Sequence, residues 1–306
     1  MVKNHPIYVE TVIDTDMDKL WNYTHNPKLH EQWDLRFSKI DYLPKQNDDD
    51  PQTFLYETNI GFGLRIAGKG ESVKTVYTDS GERVSSLKFW TDQPISLIRE
   101  GSGYWKYVPT DQGITFFTQY NYKTRFGTIG KMFDRFLFKP LMGWATAWSF
   151  DCLRLWLEKD IHPHMSLIRS LIHYIVIIVL AFIWIYQGLV PKIFFQDAGE
   201  LALLKGTGWF QGREALFLYV LGTGQVIFGL LFLIWGRKKR LHLLNMVMLL
   251  CLGFGALMSQ GEVFAAPFNP TTLTVAMIGF SLIAMLNAKA LPDASRCKRK
   301  REVRKR

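Results

Sequence analysis

The sequence predicts an α+β domain, an antiparallel sheet around a long C-terminal helix, followed by an all-α bundle of four transmembrane helices. Two observations carry that prediction. Leu171 to Val190, Ala215 to Trp235, Leu241 to Gln260 and Thr271 to Asn287 are long apolar runs without Asp, Glu, Lys or Arg, and residues 1–160 contain no such run. A bilayer core about 30 Å thick needs about 20 apolar residues in a helix, with about 17 as the lower limit, so all four runs qualify and the fourth is the shortest. Residues 1–160 show instead one strand, a short helix, a meander of alternating segments and one long amphipathic helix.

Residues 5–13, HPIYVETVI, alternate as a strand with Ile7, Val9 and Thr11 on one face. Asp14, Thr15 or Asp16 can cap the helix that follows, in which Leu20, Trp21 and Tyr23 precede the breaker Asn26-Pro27. After Trp33 the chain is expected to turn to strands: Phe37 to Leu43, Thr53 to Ile60, Leu64 to Val76, Arg83 to Trp90, Ile98 to Val108 and Gly113 to Phe126. Turn-forming residues separate them, among them Asp79-Ser80-Gly81 and Asp111-Gln112-Gly113. In the last strand Ile114, Phe116, Thr118, Tyr120 and Tyr122 share one face, which predicts a strand buried on one side. A helix from about Gly130 to Asp160, bent at Pro140, carries Phe133, Phe136, Leu137, Leu141, Trp144, Trp148, Cys152, Leu155 and Trp156, most of them at three- or four-residue spacing. It is expected to lie on the sheet.

Charge supplies the topology. Residues 1–160 carry 20 Lys+Arg and 21 Asp+Glu, net −1, which leaves 17 and 6, net +11, for residues 161–306. Cytoplasmic flanks of membrane helices are enriched in Lys and Arg. Arg169 precedes the first run, Arg237 to Arg240 join the second to the third, and Lys298 to Arg301 and Arg304 to Arg306 follow the fourth. Four spans with both termini in the cytoplasm, in the plasma membrane, satisfy this pattern. The opening MVKNHPIYVE lacks an apolar core with a cleavage site, so the first half is expected to stay in the cytoplasm. The expected division is 1–160 for the cytoplasmic domain, 161–290 for the membrane bundle and 291–306 for a basic cytoplasmic tail attracted to anionic headgroups. No nucleic-acid role is assigned to that tail.

Several chemical motifs fail on spacing. Gly63-x4-Gly68-Lys69 lacks the Ser or Thr of a phosphate-binding loop, having Gly70 there, and it falls among strands, where glycines mark bulges and bends. His25 and His30 match no compact metal-ligand set and read as loop or surface histidines. Cys152, Cys251 and Cys297 have neither paired nor metal-binding spacing, and a reducing compartment disfavours a disulfide framework. No Ser/His/Asp or Cys/His order stands out, so no catalytic residue, metal or cofactor is assigned.

The opening strand with DTDMDKLWNYTHNPKLHEQW, in particular Leu20-Trp21, Pro27 and Trp33, then the meander, then the long helix, resembles the START-like or SRPBCC superfamily. That resemblance implies a helix-grip fold, of which polyketide cyclases are members, and an apolar cavity between sheet and helix for a lipid-like or other hydrophobic molecule. Candidate ligand-binding residues are Trp33, Phe62, Trp90, Tyr104, Phe116, Tyr120, Tyr122, Trp144 and Trp148, because amphipathic rings line a pocket that also offers partners for their polar atoms. Each of these rings taken singly also suits a packed core.

In the second half, Trp184 to Ile193 (WIYQGLVPKI) and Gly222-Thr223-Gly224-Gln225 in a four-helix layout resemble the DoxX-like membrane family. Some members of the wider DoxX group are associated with quinone-linked electron transfer. Polar groups in hydrocarbon usually face a protein interior; here the main ones are His173, Gln187, Gln225, Asn245 and Gln260, with Glu262 just beyond the third run. Lys192 and Glu200, in the outer loop, are expected to contact an anionic headgroup or form an ion pair. The leading expectation is a non-enzymatic membrane protein whose cytoplasmic domain binds a hydrophobic, lipid-like molecule. Two other roles fit the same features: a component of a quinone-linked or lipid-modifying membrane enzyme, and a membrane-anchored protein-interaction module.

Overall fold

A computed structural model describes residues 5–45, 47, 50–61, 63–196, 199–259, 264–265 and 269–301. The chain divides into two compact units, Met1–Ser166 with Pro292–Arg306, and Leu167–Leu291.

In the first unit, β1 (Ile7–Ile13) leads into α1 (Met17–His25) and α2 (Pro27–Trp33). Of the three candidate caps, Asp16 closes α1, its carboxylate accepting from the Lys19 amide at 2.6 Å. The segment after Asn26-Pro27, expected as a break before the strands, is a second helix. Asn26 ends α1 and its side chain accepts from Lys28 N at 3.0 Å, while Pro27 occupies the first turn, where its missing N–H costs nothing. The strands β2 (Lys39–Tyr42), β3 (Thr53–Gly61), β4 (Leu64–Tyr77), β5 (Arg83–Trp90), β6 (Ile98–Thr110) and β7 (Gly113–Thr124) complete a seven-stranded sheet in the order β1-β7-β6-β5-β4-β3-β2. All its pairings are antiparallel. Thus a continuous meander is closed by β1 returning beside β7. The alternation read from β7 is realised, since Ile114, Phe116, Thr118, Tyr120 and Tyr122 are all buried.

The long helix is interrupted. α3 (Gly127–Phe133) passes through a π-helical turn at Asp134–Phe138 into α4 (Lys139–Lys159), with Pro140 in the first turn of α4. The C-terminal half of α4 is inserted in the core: Ala147, Phe150, Cys152 and Leu153 are fully buried, and Phe150 stacks on Phe116 at 4.4 Å. Burying such side chains contributes on the order of 2 kcal/mol each, which fixes this end of the helix to the sheet.

The first unit is discontinuous in sequence. Ala294–Arg296 forms a short 3₁₀ turn, Cys297 is 6% exposed with its thiol donating to the Ala147 carbonyl, and Lys298 pairs with Glu10 of β1. The Asp293 amide donates to Asp151 Oδ2 at 2.7 Å. The segment expected as the start of a free basic tail therefore belongs, over these residues, to the first unit.

The second unit begins one turn into α5 (Pro163–Leu189), which is continued by a π turn over Val190–Phe194 and followed by α6 (Glu200–Thr207), α7 (Glu214–Trp235), α8 (Lys239–Ser259) and α9 (Pro270–Asn287). Pro163–Phe194, Glu214–Trp235, Lys239–Met258 and Pro270–Asn287 are long and apolar enough to cross a membrane. α6 lies in the segment expected as an outer loop. α5 and α7 approach closely at Gly188, where a Cβ would meet the Gly222 carbonyl and Gln225 Cβ; such small-residue contacts allow van der Waals packing of helix backbones in lipid. Trp184 Nε1–H donates to Asn245 Oδ1 at 2.7 Å and Asn245 Nδ2 donates to Ser281 Oγ at 2.8 Å, tying α5, α8 and α9 together.

Candidate functional site

The inward face of the sheet changes character along its length. Near β1 and the C-terminal half of α4 it carries Val9, Ile13, Tyr107 and Phe116, which close on Trp33 and Phe150 as solid core. Toward β3 and β4 its middle positions are small: Ser72, Ser85, Gly103 and Thr118. Opposite them stand Met142 and Ala145 of α4, and the space between is a cavity of about 860 Å³, within the range typical of small-molecule sites. Leu87, Phe89, Ile98, Phe138 and Leu141 supply much of its apolar wall.

One end of the cavity is polar. Arg36, carried on the short link from α2 to β2, lies against Asp34 with Nε to Oδ1 at 2.9 Å and a terminal nitrogen to Oδ2 at 2.6 Å. The side chains are 11% and 0% exposed. His30 Nε2 adds a contact to Asp34 Oδ2 at 3.1 Å. Burial by itself would raise the Asp34 pKa, but the adjacent guanidinium and its hydrogen bonds outweigh that and hold the carboxyl well below the usual range. The Arg36 guanidinium also lies 5.5 Å from the centroids of both Phe37 and Tyr120.

Two further polar groups face this end. His25 stacks on Trp21 at 3.7 Å, with Nδ1 3.1 Å from the Trp21 carbonyl, and burial lowers its pKa to about 4, so its ring is neutral near pH 7. Tyr56 is 8% exposed, and its hydroxyl has no hydrogen-bond partner among the described residues; burial pushes its pKa up to about 12. Held in its protonated form on the cavity wall, the phenol is a donor available to a molecule in the cavity.

The residues singled out from the sequence are distributed differently. Tyr120 lies on the wall and hydrogen-bonds Thr146 at 3.0 Å, and Tyr104 borders the cavity with its ring against Phe117. Trp33, Phe116 and Trp148 are in the core, the Trp33 indole N–H donating to the Tyr23 carbonyl at 2.9 Å. Tyr122 is also in the core, its hydroxyl donating to Asp134 at 2.6 Å. Trp90 is half-buried and Trp144 is 40% exposed, both off the wall, and Phe62 lies outside the described residues. His25 and His30, read as surface or loop histidines, are instead helical and line the cavity. Arg36 and Tyr56 carried no motif. The available signal was the run of small residues at inward-facing positions 72, 85 and 103, which leaves volume that neighbouring strands do not fill.

In the second unit Lys192 is 5% exposed, its ammonium 2.7 Å from Glu200 and 3.3 Å from the Gln187 carbonyl. Gln225 is 4% exposed on α7, with Oε1 unpartnered among the described residues. Gln260 and Glu262 lie outside the described residues. Among the described residues no group of three or more His, Cys, Asp or Glu is placed to hold a metal ion.

Residues 181–282 match the model of the DoxX-like family. Over 188 residues, 61% of this chain and 70% of the relative, the sequence is 52% identical to a protein of Bacillus subtilis (strain 168) described as "Uncharacterized membrane protein YndG". Among solved structures, a STAR-related lipid transfer protein from Xanthomonas axonopodis has a TM-score of 0.40 at 13% identity, over 52% of this chain and 90% of that one. The di-domain ARO/CYC StfQ from the steffimycin biosynthetic pathway has a TM-score of 0.34 at 17% identity, over 48% and 50%. The protein TTHA0849 from Thermus thermophilus has a TM-score of 0.35 at 9% identity, over 45% and 86%.

Proposed function

The chain belongs to the family of the membrane protein YndG of Bacillus subtilis, and from that premise we propose that it is a multi-pass membrane protein whose N-terminal unit binds a hydrophobic, lipid-like molecule. The observation that carries this is the cavity of about 860 Å³ with apolar walls and one polar end. An elongated apolar molecule with a single oxygen-bearing end suits it. The oxygen would accept from the Tyr56 hydroxyl near the Arg36 guanidinium, and the apolar body would lie along Leu87, Phe89, Ile98 and Met142. Burying the apolar body drives binding, and the polar end orients it, because a reversed orientation would bury the ligand's oxygen among apolar side chains without a partner.

The DoxX-like bundle acts as the tether, raising the effective concentration of the cavity at the bilayer. The positive flanks of the membrane helices favour both termini in the cytoplasm, in the plasma membrane. That the residues after α9 and the residues before α5 belong to one unit supports the even number of spans.

The experiment is to purify the full chain from membranes and identify co-purifying lipids by mass spectrometry, beside a Leu87→Trp variant whose indole fills the cavity. A lipid enriched in the unmodified protein and lost from the variant is the expected result. Equal lipid profiles in the two would refute the reading.

A further inference from the structure

We propose that the segment from Arg125 to Trp144, which joins β7 to α4, is a docking face for an anionic lipid surface. On α3 and the π turn, Phe126, Ile129, Met132, Phe136 and Leu137 are exposed by 57, 79, 57, 73 and 55%. A cluster of large apolar side chains of this density is rare on a surface that only water covers. Lys131 and Arg135 are exposed among these side chains, and Asp134, between them, is the one acid of residues 125–144.

That single acid is turned inward: Asp134 is 6% exposed and accepts from the Tyr122 hydroxyl. Lys131 and Arg135 have no acidic partner among the described residues. An exposed face that is apolar, aromatic and positively charged matches the interfacial zone of a bilayer, where rings sit at headgroup depth and cations meet anionic lipid. An apolar protein surface, such as a second copy of the chain, would leave those cations uncompensated. The charge complementarity selects the lipid.

The same segment contributes Phe133, Phe138, Leu141 and Met142 to the cavity wall. Docking therefore brings one wall of the cavity against the bilayer, so that an apolar molecule exchanges between the two without crossing water. The π turn at Asp134–Phe138, a local departure from the α-helical hydrogen-bond ladder, lies within this stretch of wall.

The test uses the full chain with Cys251→Ala and a single new cysteine, Phe136→Cys, carrying an environment-sensitive fluorophore. It is reconstituted in phosphatidylcholine vesicles with or without phosphatidylglycerol, each containing spin-labelled lipid as a depth-sensitive quencher. Expected are quenching of the Phe136 probe in the phosphatidylglycerol vesicles, none for a probe at Tyr77→Cys, and a fall of roughly tenfold or more in docking on Lys131→Glu with Arg135→Glu. A probe that remains in water, a charge reversal without effect, or a crosslink between two copies in place of lipid quenching overturns the proposal. Leu87→Trp in the same background separates this from the ligand reading: it removes bound lipid and leaves the Phe136 signal unchanged.

Discussion

Glu10 and Lys298 exchange two backbone hydrogen bonds, Glu10 N to Lys298 O and Lys298 N to Glu10 O, each 2.9 Å long. The two residues stand at opposite ends of the chain, with all the membrane helices between them. β1 would otherwise offer a bare strand edge, and unpaired edges invite pairing with other chains. The membrane helices are in effect inserted into the first unit, between α4 and the segment that covers β1.

Deleting residues 292–306 should therefore loosen β1. Two backbone hydrogen bonds at about 1 kcal/mol each are lost, together with the burial of Cys297. Amide exchange in β1 of the full-length protein should accelerate roughly 30-fold, the equivalent of about 2 kcal/mol, with α8 as an internal reference. Exchange unchanged in β1 would show that the pairing contributes nothing to the sheet.

The charged cluster at the cavity end should behave asymmetrically. Asp34→Ala leaves the Arg36 guanidinium buried without its partner, and the expected loss is about 3 to 5 kcal/mol. Asp34→Leu combined with Arg36→Met removes both charges and should recover most of that loss. Thermal unfolding followed by the β-sheet circular dichroism of the full chain compares them; a double variant no better than the single one would contradict the account.

Acid should weaken the first unit through His25. Burial holds the folded-state pKa near 4, against 6.5 ordinarily, so the unfolded chain takes up the proton more readily. The stability contribution is complete above pH 6.5 and is lost as pH falls toward 4, by about 3 kcal/mol at most, from 1.36 kcal/mol per pH unit. Asp34, held below the ordinary carboxylate range, adds slope only in more acid solution. His25→Asn should flatten the decline between pH 6.5 and 4, read as the shift in unfolding midpoint; a variant with the parental slope would assign the effect elsewhere.

The parts legible from the sequence were those written in repeating short-range patterns. Alternation at Ile114, Phe116, Thr118, Tyr120 and Tyr122 marked the inward face of β7, and four charge-free runs marked the long helices. The helix α2 was less visible because Asn26-Pro27 serves both as a break and as a helix start, and only the backbone after it distinguishes the two. The Asp34–Arg36–His30 cluster has no recognisable spacing, since the carboxylate and the guanidinium are brought together by a bend between α2 and β2.

Hydropathy and charge by themselves thus determined that the chain is part membrane helix and part α+β domain, because transfer free energy depends on the composition of each segment. Where the solid core stops and the cavity begins was decided only by tertiary structure. Trp148 and Met142 lie on the same helix, yet one is buried in the core and the other, at the edge of that core, lines the cavity. The difference lies in the side chains that face the helix at each point, large near Trp148 and small at Ser72, Ser85 and Gly103, which come from strands far away in sequence, and no local pattern in the helix encodes it. The same holds for Cys297: its burial depends on α4 and β1 leaving a place for the last segment of the chain to fill.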